Sequence, residues 1–299
     1  MYASKNYKWE LLALLSAAFF FHQADRAIFG VVLSSIKSDL QLTDSQLGLI
    51  GTSLFVTLAV MVPLAGYLGD RFSRKWIITC SVLFWSAATA VTGAARGLLS
   101  IIFFRSIATG GGESFYAPSA YSLLAAYHKS TRSLALSLHQ AALYIGVMSS
   151  GFLAGWIAER WGWRSAFYAF GITGVLLGIT FIFRLRDAAP DRDASATICE
   201  AKPDFSEALS VLLRTPSAVL ATLGFCAVVF VNNAYVVWAP TFVQHTFNLT
   251  LTQAGGGAMF YHHAAAFSAI MLGGIFTDRI VPTCPSIRLR LQGVALLLG

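Results

Sequence analysis

Four ionisable side chains lie inside long apolar stretches of this sequence, where an ionised group needs either a partner or a purpose. They are Asp25, Arg26, Arg105 and Glu113. An ionised side chain at the centre of a bilayer costs about 2.5–3.5 kcal/mol on insertion scales. Because the two acids balance the two bases, we expect them to neutralise one another around a central cavity and not to face lipid.

The first of the two helices predicted to carry these charges presents three polar groups on one face. His22, Asp25 and Arg26 are spaced i, i+3 and i+4, so an imidazole, an acid and a base lie together on a helix. Histidine is the side chain whose charge changes most readily near neutral pH. This face is therefore a candidate for binding a charged substrate or a proton.

The second helix places its polar residues along a similar face. Arg105, Thr109, Gly112 and Tyr116 share that face, and Glu113 lies two turns beyond Arg105, about 12 Å along a regular helix axis. The sequence therefore predicts that this helix and the helix of Asp25 line one site.

Proton transfer is the chemistry that these groups favour. Burial favours the neutral form of a carboxyl group unless a cation holds it ionised, so such a group can carry a proton. Our hypothesis is that Glu113 and Asp25 exchange a proton, while Arg105 or Arg26 alternates between pairing with them and binding an anionic substrate group. The alternative is a permanent buried salt bridge, for instance between Asp25 and Arg26, that only orients the helices.

Other polar groups at membrane depth are weaker candidates for cavity lining, and hydrogen bonds between helices explain them equally well. They are His139 and Gln140, then Asn232, Asn233 and Tyr235, and finally His262 and His263. We include Asn232 among the predicted substrate-binding residues. Adjacent positions such as His262 and His263 point about 100° apart on a helix, so we expect no metal site.

The composition excludes a water-soluble domain. Hydrophobic residues make up 56% of the 299 and charged residues 12%, against roughly a quarter charged in soluble proteins. A helix needs about 20 apolar residues to cross a bilayer, and eight stretches are long enough. They lie near 10–36, 46–69, 76–95, 98–124, 134–158, 165–184, 216–243 and 253–276.

Basic residues predict the orientation of these spans. When the loops are assigned alternately to two sides, 15 Lys and Arg fall on one side and four, at 37, 96, 160 and 164, on the other. By the positive-inside rule, the side with more basic residues is cytoplasmic, so the amino terminus is predicted to be cytoplasmic. We expect the membrane to be a bacterial inner membrane. The net charge of +7 then faces anionic lipid, not nucleic acid.

The chain divides into three predicted regions: a six-span bundle at 1–183, a cytoplasmic linker at 184–215, and the start of a second bundle at 216–299. Within the linker, apolar residues at helical spacing after Asp204 predict an amphipathic surface helix. They are Phe205, Ala208, Leu209 and Leu212.

The first span resembles a signal peptide only in part, and we expect it to stay uncleaved. The four cysteines show no metal spacing.

One charged loop identifies a family. It runs Gly66-Tyr67-Leu68-Gly69-Asp70-Arg71-Phe72-Ser73-Arg74-Lys75, with a partial echo 208 residues later at Gly274-Ile275-Phe276-Thr277-Asp278-Arg279. This block resembles the loop between the second and third spans of major facilitator superfamily transporters, with Ser73 in place of Gly. The echo matches the two parallel halves of that fold.

The resemblance implies an all-α polytopic fold of two six-helix bundles, here with an incomplete second bundle, so the chain is expected to be a fragment. It also implies a conformational gate motif and a contact of Asp70 with an eleventh span. The gate residues are Gly66, Asp70, Arg71, Arg74, Lys75, Asp278 and Arg279.

Three local matches narrow the branch: Asp25-Arg26, the loop just described, and Arg105 followed by Gly112-Glu113-Ser114 and Pro118. Together they resemble the Spinster group and the neighbouring anion:cation symporters, in which the matching charged residues are considered substrate and proton residues. The resemblance implies secondary transport by alternating access. We expect proton-coupled uptake of a small organic anion.

Two alternatives to this function stay open. One is Spinster-like transport of a lysolipid or another amphiphile. The other is a remnant that senses a ligand without transporting it. The sequence contains no phosphate-binding loop, nucleophile–base pair or metal-ligand spacing, so neither an enzyme nor a cofactor is expected.

Overall fold

The part of the chain that the structure describes consists of helices joined by short turns and loops. A computed structural model describes residues 7–187 except 70, and 210–280 except 212, with the side chains of 133 and 270–280 left out. The helices are α1 (Tyr7–Val31), α2 (Leu33–Leu40), α3 (Asp44–Gly69), α4 (Arg74–Thr92), α5 (Leu98–Ile101), α6 (Thr109–Glu113), α7 (Tyr116–Tyr127), α8 (Arg132–Trp161), α9 (Trp163–Arg184), α10 (Pro216–Phe247) and α11 (Leu251–Ile280). A π-helical segment, Ile102–Ala108, joins α5 to α6.

Six of the described helices are long and apolar enough to cross a membrane, namely α1, α3, α4, α8, α9 and α10. Each matches one of the predicted apolar stretches, so the prediction of a polytopic helical protein is confirmed. The first stretch extends past α1 into the short helix α2, which follows a turn at Val32.

The fourth predicted span differs from a single regular helix. It consists of α5, the π-helical segment, α6 and α7, with a break at Ser114 and Phe115. Pro118 contributes to this break, because it lacks the N–H that would bond to the carbonyl of Ser114 and is tolerated in the first turn of a new helix. At the end of the π-helical segment, the hydroxyl of Thr109, the first residue of α6, donates to the Phe104 carbonyl over 2.8 Å. The predicted face of Arg105 to Tyr116 is therefore interrupted.

Helix α1 lies at the centre of the packing. It contacts α8, α9 and α10, while α4 pairs with α9 and α8 with α11. Glycines permit the closest approaches between the first six spans and α10 or α11: a Cβ on Gly30 would lie 2.1 Å from the Val236 carbonyl oxygen, and one on Gly151 would lie 2.5 Å from that of Gly255. Backbone-to-backbone packing at small residues is typical of membrane helices.

Polar contacts join the same two parts of the chain. Ser34 Oγ donates to Gln244 Oε1 over 2.6 Å, and the Thr252 backbone N–H donates to Glu159 Oε1 over 2.7 Å. Residues 34, 159, 244 and 252 lie near the ends of helices that the sequence places on the outer side, so these contacts hold that side together.

Several expectations fall outside the described residues. These are the amphipathic helix of the linker with Phe205, Ala208, Leu209 and Leu212, the segment from residue 281 onward, and Cys199 and Cys284. Cys80 and Cys226 are both exposed and free. The division into regions at 183 and 215 remains a prediction.

Candidate functional site

The candidate site is centred on a buried ion pair between α1 and α6. Arg26 donates from Nε to Oε2 of Glu113 over 2.8 Å, and the side chain of Glu113 is 0% exposed, against 25% for that of Arg26. Glu113 is the last residue of α6, where Gly110 packs closely on α3 and Gly112 on α4. The glycines therefore let the Glu113 carboxylate reach the arginine on α1.

An imidazole lies beside this pair. His22 Nε2 is 3.7 Å from Glu113 Oε2, and His22 Nδ1 lies 3.2 Å from Gln23 Nε2. Because an amide nitrogen can only donate, His22 Nδ1 accepts, and its Nε2 carries the proton that points toward Glu113. The predicted grouping of His22 with the charged residues is thus present in the fold.

Asp25 is held differently from the sequence expectation. It is 2% exposed, and its Oδ2 accepts a hydrogen bond from Thr89 Oγ1 of α4 over 3.3 Å. Oδ1 has no hydrogen-bond partner among the described residues. Arg26 pairs with Glu113 and not with its neighbour Asp25, so the Asp25–Arg26 salt bridge considered from the sequence does not form. Adjacent helical residues point about 100° apart, which separates their charged groups.

Arg105 is the second buried cation, and most of its hydrogen-bonding capacity is unused. The residue is 3% exposed. Its Nη2 donates to the carbonyl oxygens of Asp25 and Arg26 over 3.3 and 3.2 Å, while Nε and Nη1 have no partner among the described residues. A buried guanidinium with free donors is suited to binding an anion, since it can present a planar fork to a carboxylate or phosphate.

A small cavity opens beside both arginines. Its volume is about 20 Å³, close to the room that one water needs. Apolar side chains form most of its wall, and Asn233 of α10 is the polar residue opposite Arg26 and Arg105. The lining residues are Arg26, Phe29, Ile50, Gly51, Leu54, Phe55, Arg105, Asn233, Val236 and Val237.

Two predicted site residues lie away from this cavity lining. Tyr116 is fully buried, donates to the Leu15 carbonyl over 2.6 Å and lies 3.1 Å from His139 Nε2. Asn232 Oδ1 lies 3.3 Å from His262 Nε2 at the contact of α10 with α11. The structure therefore groups His22, Asp25, Arg26, Arg105 and Glu113, and leaves Tyr116 and Asn232 at its margins.

Thr89 is a site residue that the sequence reasoning missed. It is 1% exposed and holds Asp25 from the side of α4. Asn233 was named only as a weaker candidate than Asn232. Thr89 is one of several hydroxyl residues in α4 and Asn233 one of two adjacent asparagines in α10, so residue type alone did not single out either. The spacing within one helix does not show which face meets another helix.

The gate loop is described in part. Arg71 lies 4.1 Å from the ring centre of Tyr67, Ser73 accepts from the Trp76 N–H to cap α4, and Lys75 Nζ donates to the Ile182 carbonyl. The region around Gly66 is open, and Arg74 begins α4. Asp70 and the side chains of Asp278 and Arg279 lie outside the described part of the chain.

The described residues contain no cluster of side chains that could bind a metal ion. No group of three or more His, Cys, Asp or Glu there could hold an ion. The rings of His262 and His263 are 4.8 Å apart at an interplanar angle of 77°, as expected for neighbouring residues that point in different directions.

Known relatives resemble the chain in sequence. The protein spinster of Drosophila melanogaster is 27% identical over 79% of this chain and 39% of its own length. The sphingosine-1-phosphate transporter SPNS2 of Danio rerio is 25% identical over 84% of this chain and 50% of its own. The chain therefore spans about half, or less, of the length of these curated relatives.

The fold has a counterpart among solved structures. A bacterial homolog of the human lysosomal transporter Spinster, in an inward-facing and unoccupied conformation, superposes with a TM-score of 0.81 at 22% identity, covering 94% of this chain and 64% of that one. The profile of the Major Facilitator Superfamily matches residues 15–299. On this match, which covers nearly the whole sequence, the chain belongs to the major facilitator superfamily.

Proposed function

We propose that this chain forms the substrate-binding part of a secondary transporter that moves a small organic anion by alternating access, coupled to protons. The observation that carries the proposal is Arg105, a buried guanidinium whose Nε and Nη1 have no partner among the described residues and which lies beside a cavity. Anions recognised by arginine are held by paired, charge-assisted hydrogen bonds, each about twice as strong as a neutral one.

Charge pairing assigns the two arginines different roles in this proposal. Arg26 is already neutralised by Glu113 at 2.8 Å, whereas the hydrogen bonds of Arg105 within the described residues go to two backbone carbonyls. Arg105 therefore binds the substrate anion. Arg26 neutralises the Glu113 carboxylate until that carboxylate takes up a proton.

Proton coupling is supported by the two buried carboxyl groups. Asp25 Oδ1 and Glu113 Oε1 have no partners among the described residues, so each can receive a proton without breaking an existing hydrogen bond. A protonated carboxyl group needs no counter-ion in a cavity of low dielectric. Protonation of Glu113 at Oε1 would remove the negative charge that pairs with Arg26, and Arg26 lines the same cavity as Arg105.

An amphiphile with an anionic head is a second candidate substrate class. The cavity wall consists mainly of apolar side chains, including Phe29, Leu54, Phe55 and Val237. SPNS2, which is named a sphingosine-1-phosphate transporter, matches 84% of the chain. In both candidates the anionic group binds Arg105, and the difference lies in what fills the rest of an opened cavity.

Counterflow in proteoliposomes tests the proposal and separates the two substrate classes. The full 299-residue chain is reconstituted with internal glucuronate, and entry of labelled external glucuronate is measured with and without excess sphingosine-1-phosphate. Counterflow that small carboxylates inhibit and the lysolipid does not supports a small organic anion, and the reverse pattern supports an amphiphile. If neither probe is exchanged or competes, the transport proposal fails for this chain.

A further inference from the structure

A second buried imidazole lies outside the site just described, in the contact of α8 with α1 and α7. His139 is 0% exposed. Its ring stacks on Phe19 with centroids 4.4 Å apart at 14°, and meets Tyr121 edge-on at 5.4 Å. Apart from this aromatic packing, its hydrogen bond within the described residues is the 3.1 Å contact of Nε2 with the hydroxyl of Tyr116.

Hydrogen-bond accounting fixes the position of the His139 proton. The Tyr116 hydroxyl has one hydrogen, and the Leu15 carbonyl, 2.6 Å away, can only accept it. The hydroxyl oxygen must then accept from His139, so the neutral imidazole carries its hydrogen on Nε2. Nδ1 is left with a free lone pair, and it has no partner among the described residues. A purely structural hydrogen bond to Tyr116 does not require such an unsatisfied buried acceptor, which destabilises a fold.

His139 lies near Glu113, to which it is connected through the side chains of Phe19 and His22. Phe19 packs against both His139 and His22, and His22 lies 3.7 Å from Glu113. Counted at 1.5 Å per residue, His139 lies about 10 Å from the start of α8, whereas Glu113 precedes the start of α7, whose 12 residues extend about 18 Å to its end. The start of α8 and the end of α7 are both on the predicted cytoplasmic side, so His139 lies between Glu113 and that side.

On the basis of the proposed proton-coupled transport, we propose that His139 is a second proton-binding station, which holds a proton at Nδ1 on its way between Glu113 and the cytoplasm. The proton that leaves the Glu113 carboxyl group binds the Nδ1 lone pair, and the same proton later passes to water at the cytoplasmic end. Water carries it between the two sites when the helices part, because no direct hydrogen bond joins them among the described residues.

The surroundings of His139 agree with a group that is charged only in passing. Tyr116 and Tyr121 of α7 pack against its ring. His22 of α1 packs against Phe19, which also stacks on His139, and Arg26 and Glu113 lie beyond His22. No carboxylate contacts the imidazole directly among the described residues, so nothing there would hold its cation permanently.

Nitrogen NMR tests the station without any transport. The full chain is labelled with ¹⁵N-histidine in lipid nanodiscs, and the resonances of His139 are assigned as those that disappear in His139→Gln. We expect the Nε2–H tautomer at about pH 8.5 and conversion to the doubly protonated ring only in the acid range, by about pH 3, because burial disfavours the charged imidazole. A ring that stays neutral over this range, or that carries its hydrogen on Nδ1, would overturn the proposal.

A transport comparison distinguishes proton binding by His139 from a purely structural role of its hydrogen bond to Tyr116. In His139→Gln the new side-chain amide can still donate to Tyr116, but it cannot accept a proton as an imidazole does. The variant should therefore keep glucuronate counterflow within about twofold and reduce accumulation driven by a pH gradient at least about tenfold. His128→Gln is the control, because both ring nitrogens of His128 already have partners, Thr131 and Lys8, and it should change neither rate.

Equal losses of counterflow and accumulation in His139→Gln would assign the residue a packing role only and overturn the proposal. If the unaltered chain shows no counterflow, the transport function fails on its own, and the NMR titration still decides whether His139 binds a proton.

Discussion

Arg26 and Glu113, 87 residues apart in the sequence, form a buried hydrogen-bonded ion pair of 2.8 Å that joins α1 to α6. The sequence alone is equally compatible with a salt bridge between Arg26 and Asp25, but in the structure Arg26 pairs with Glu113. This pairing leaves Asp25 with one weak donor, Thr89, and leaves Arg105 with two donor atoms that have no partner among the described residues. The pairing therefore separates the charged residues into a neutralised pair and two groups with capacity to bind something else.

Replacing Glu113 with Gln removes the proton-carrying group while keeping an oxygen near Arg26. We expect glucuronate binding to remain within about threefold of its original affinity, because Arg105 is untouched. Accumulation driven by a pH gradient should be lost, since Gln cannot exchange a proton. Parallel binding and uptake measurements in proteoliposomes check this prediction.

Glu10→Gln is the matched control for Glu113→Gln. Glu10 also pairs with an arginine, Arg184, over 2.6 Å, but nearer the surface, where such pairs contribute at most about 1 kcal/mol. It should leave both binding and accumulation unchanged. Undiminished accumulation in Glu113→Gln itself would contradict the assignment of Glu113 as a proton carrier.

Arg105 should be more sensitive to loss of its charge and fork than any other cation in the described spans. A hydrogen bond to a charged group is worth about 1.5–3 kcal/mol, and Arg105→Gln removes at least one of them, so affinity for an anionic substrate should fall at least about 10-fold. Arg105→Lys keeps the charge without the planar fork and should give an intermediate loss. Isothermal titration with glucuronate measures all three proteins.

The control for Arg105 is Arg96→Gln, an exposed loop arginine whose loss should leave affinity unchanged. Equal affinity of Arg105→Gln and the unaltered chain would exclude Arg105 from the binding site. A loss that is the same for Lys and Gln would indicate that the planar fork matters and the charge does not.

Much of the fold follows from composition and spacing. Apolar stretches of sufficient length predicted the positions of α1, α3, α4, α8, α9 and α10 within a few residues, because a bilayer requires each span to satisfy its own backbone. The interruption between Ile102 and Tyr116 was not predicted. Its glycines and Pro118 were visible, but whether they kink a helix or only allow close packing depends on the neighbouring α3 and α4.

The candidate site was predictable as a set of residues and not as a set of contacts. The cost of burying charge marks Asp25, Arg26, Arg105 and Glu113 from the sequence alone. Which acid pairs with which base depends on the rotation of α1 against α6, and helix rotation is set by packing that a single sequence does not reveal. For the same reason Asn233 reaches the cavity where Asn232 was favoured.

Close packing at Gly30 should be essential to the contact between α1 and α10. A Cβ there would lie 2.1 Å from the Val236 carbonyl oxygen, and backbone cannot yield as a flexible side chain does. Gly30→Ala should therefore destabilise the protein by about 1–3 kcal/mol, as overpacking does. Thermal unfolding in detergent, followed by circular dichroism, measures the shift.

Gly48→Ala provides a control with the opposite expected sign. Gly48 lies inside α3 with no atom within 4 Å of an added Cβ, and replacing Gly by Ala within a helix contributes up to about 1 kcal/mol. Its unfolding midpoint should stay the same or rise. If Gly30→Ala and Gly48→Ala shift the midpoint in the same direction, the contact at Gly30 is not the constraint that the structure indicates.

Acid sensitivity should report the ion pair of Asp39 with Arg164, which joins α2 to α9 outside the spans. The hydrogen bond from Arg164 holds the pKa of the Asp39 carboxyl group below its usual 3.8. Because the folded pKa is the lower one, the stabilisation is complete above the usual value and is lost as the pH falls through the folded value. The unfolding midpoint of Asp39→Asn should therefore lie below that of the unaltered chain at about pH 6, and the difference should shrink once the pH falls below about 3.8.

In the double variant Asp39→Asn/Arg164→Gln the loss of stability should be smaller than the sum of the two single losses, since removing either partner already breaks the pair. A difference between Asp39→Asn and the unaltered chain that is the same at about pH 6 and about pH 3 would exclude this linkage.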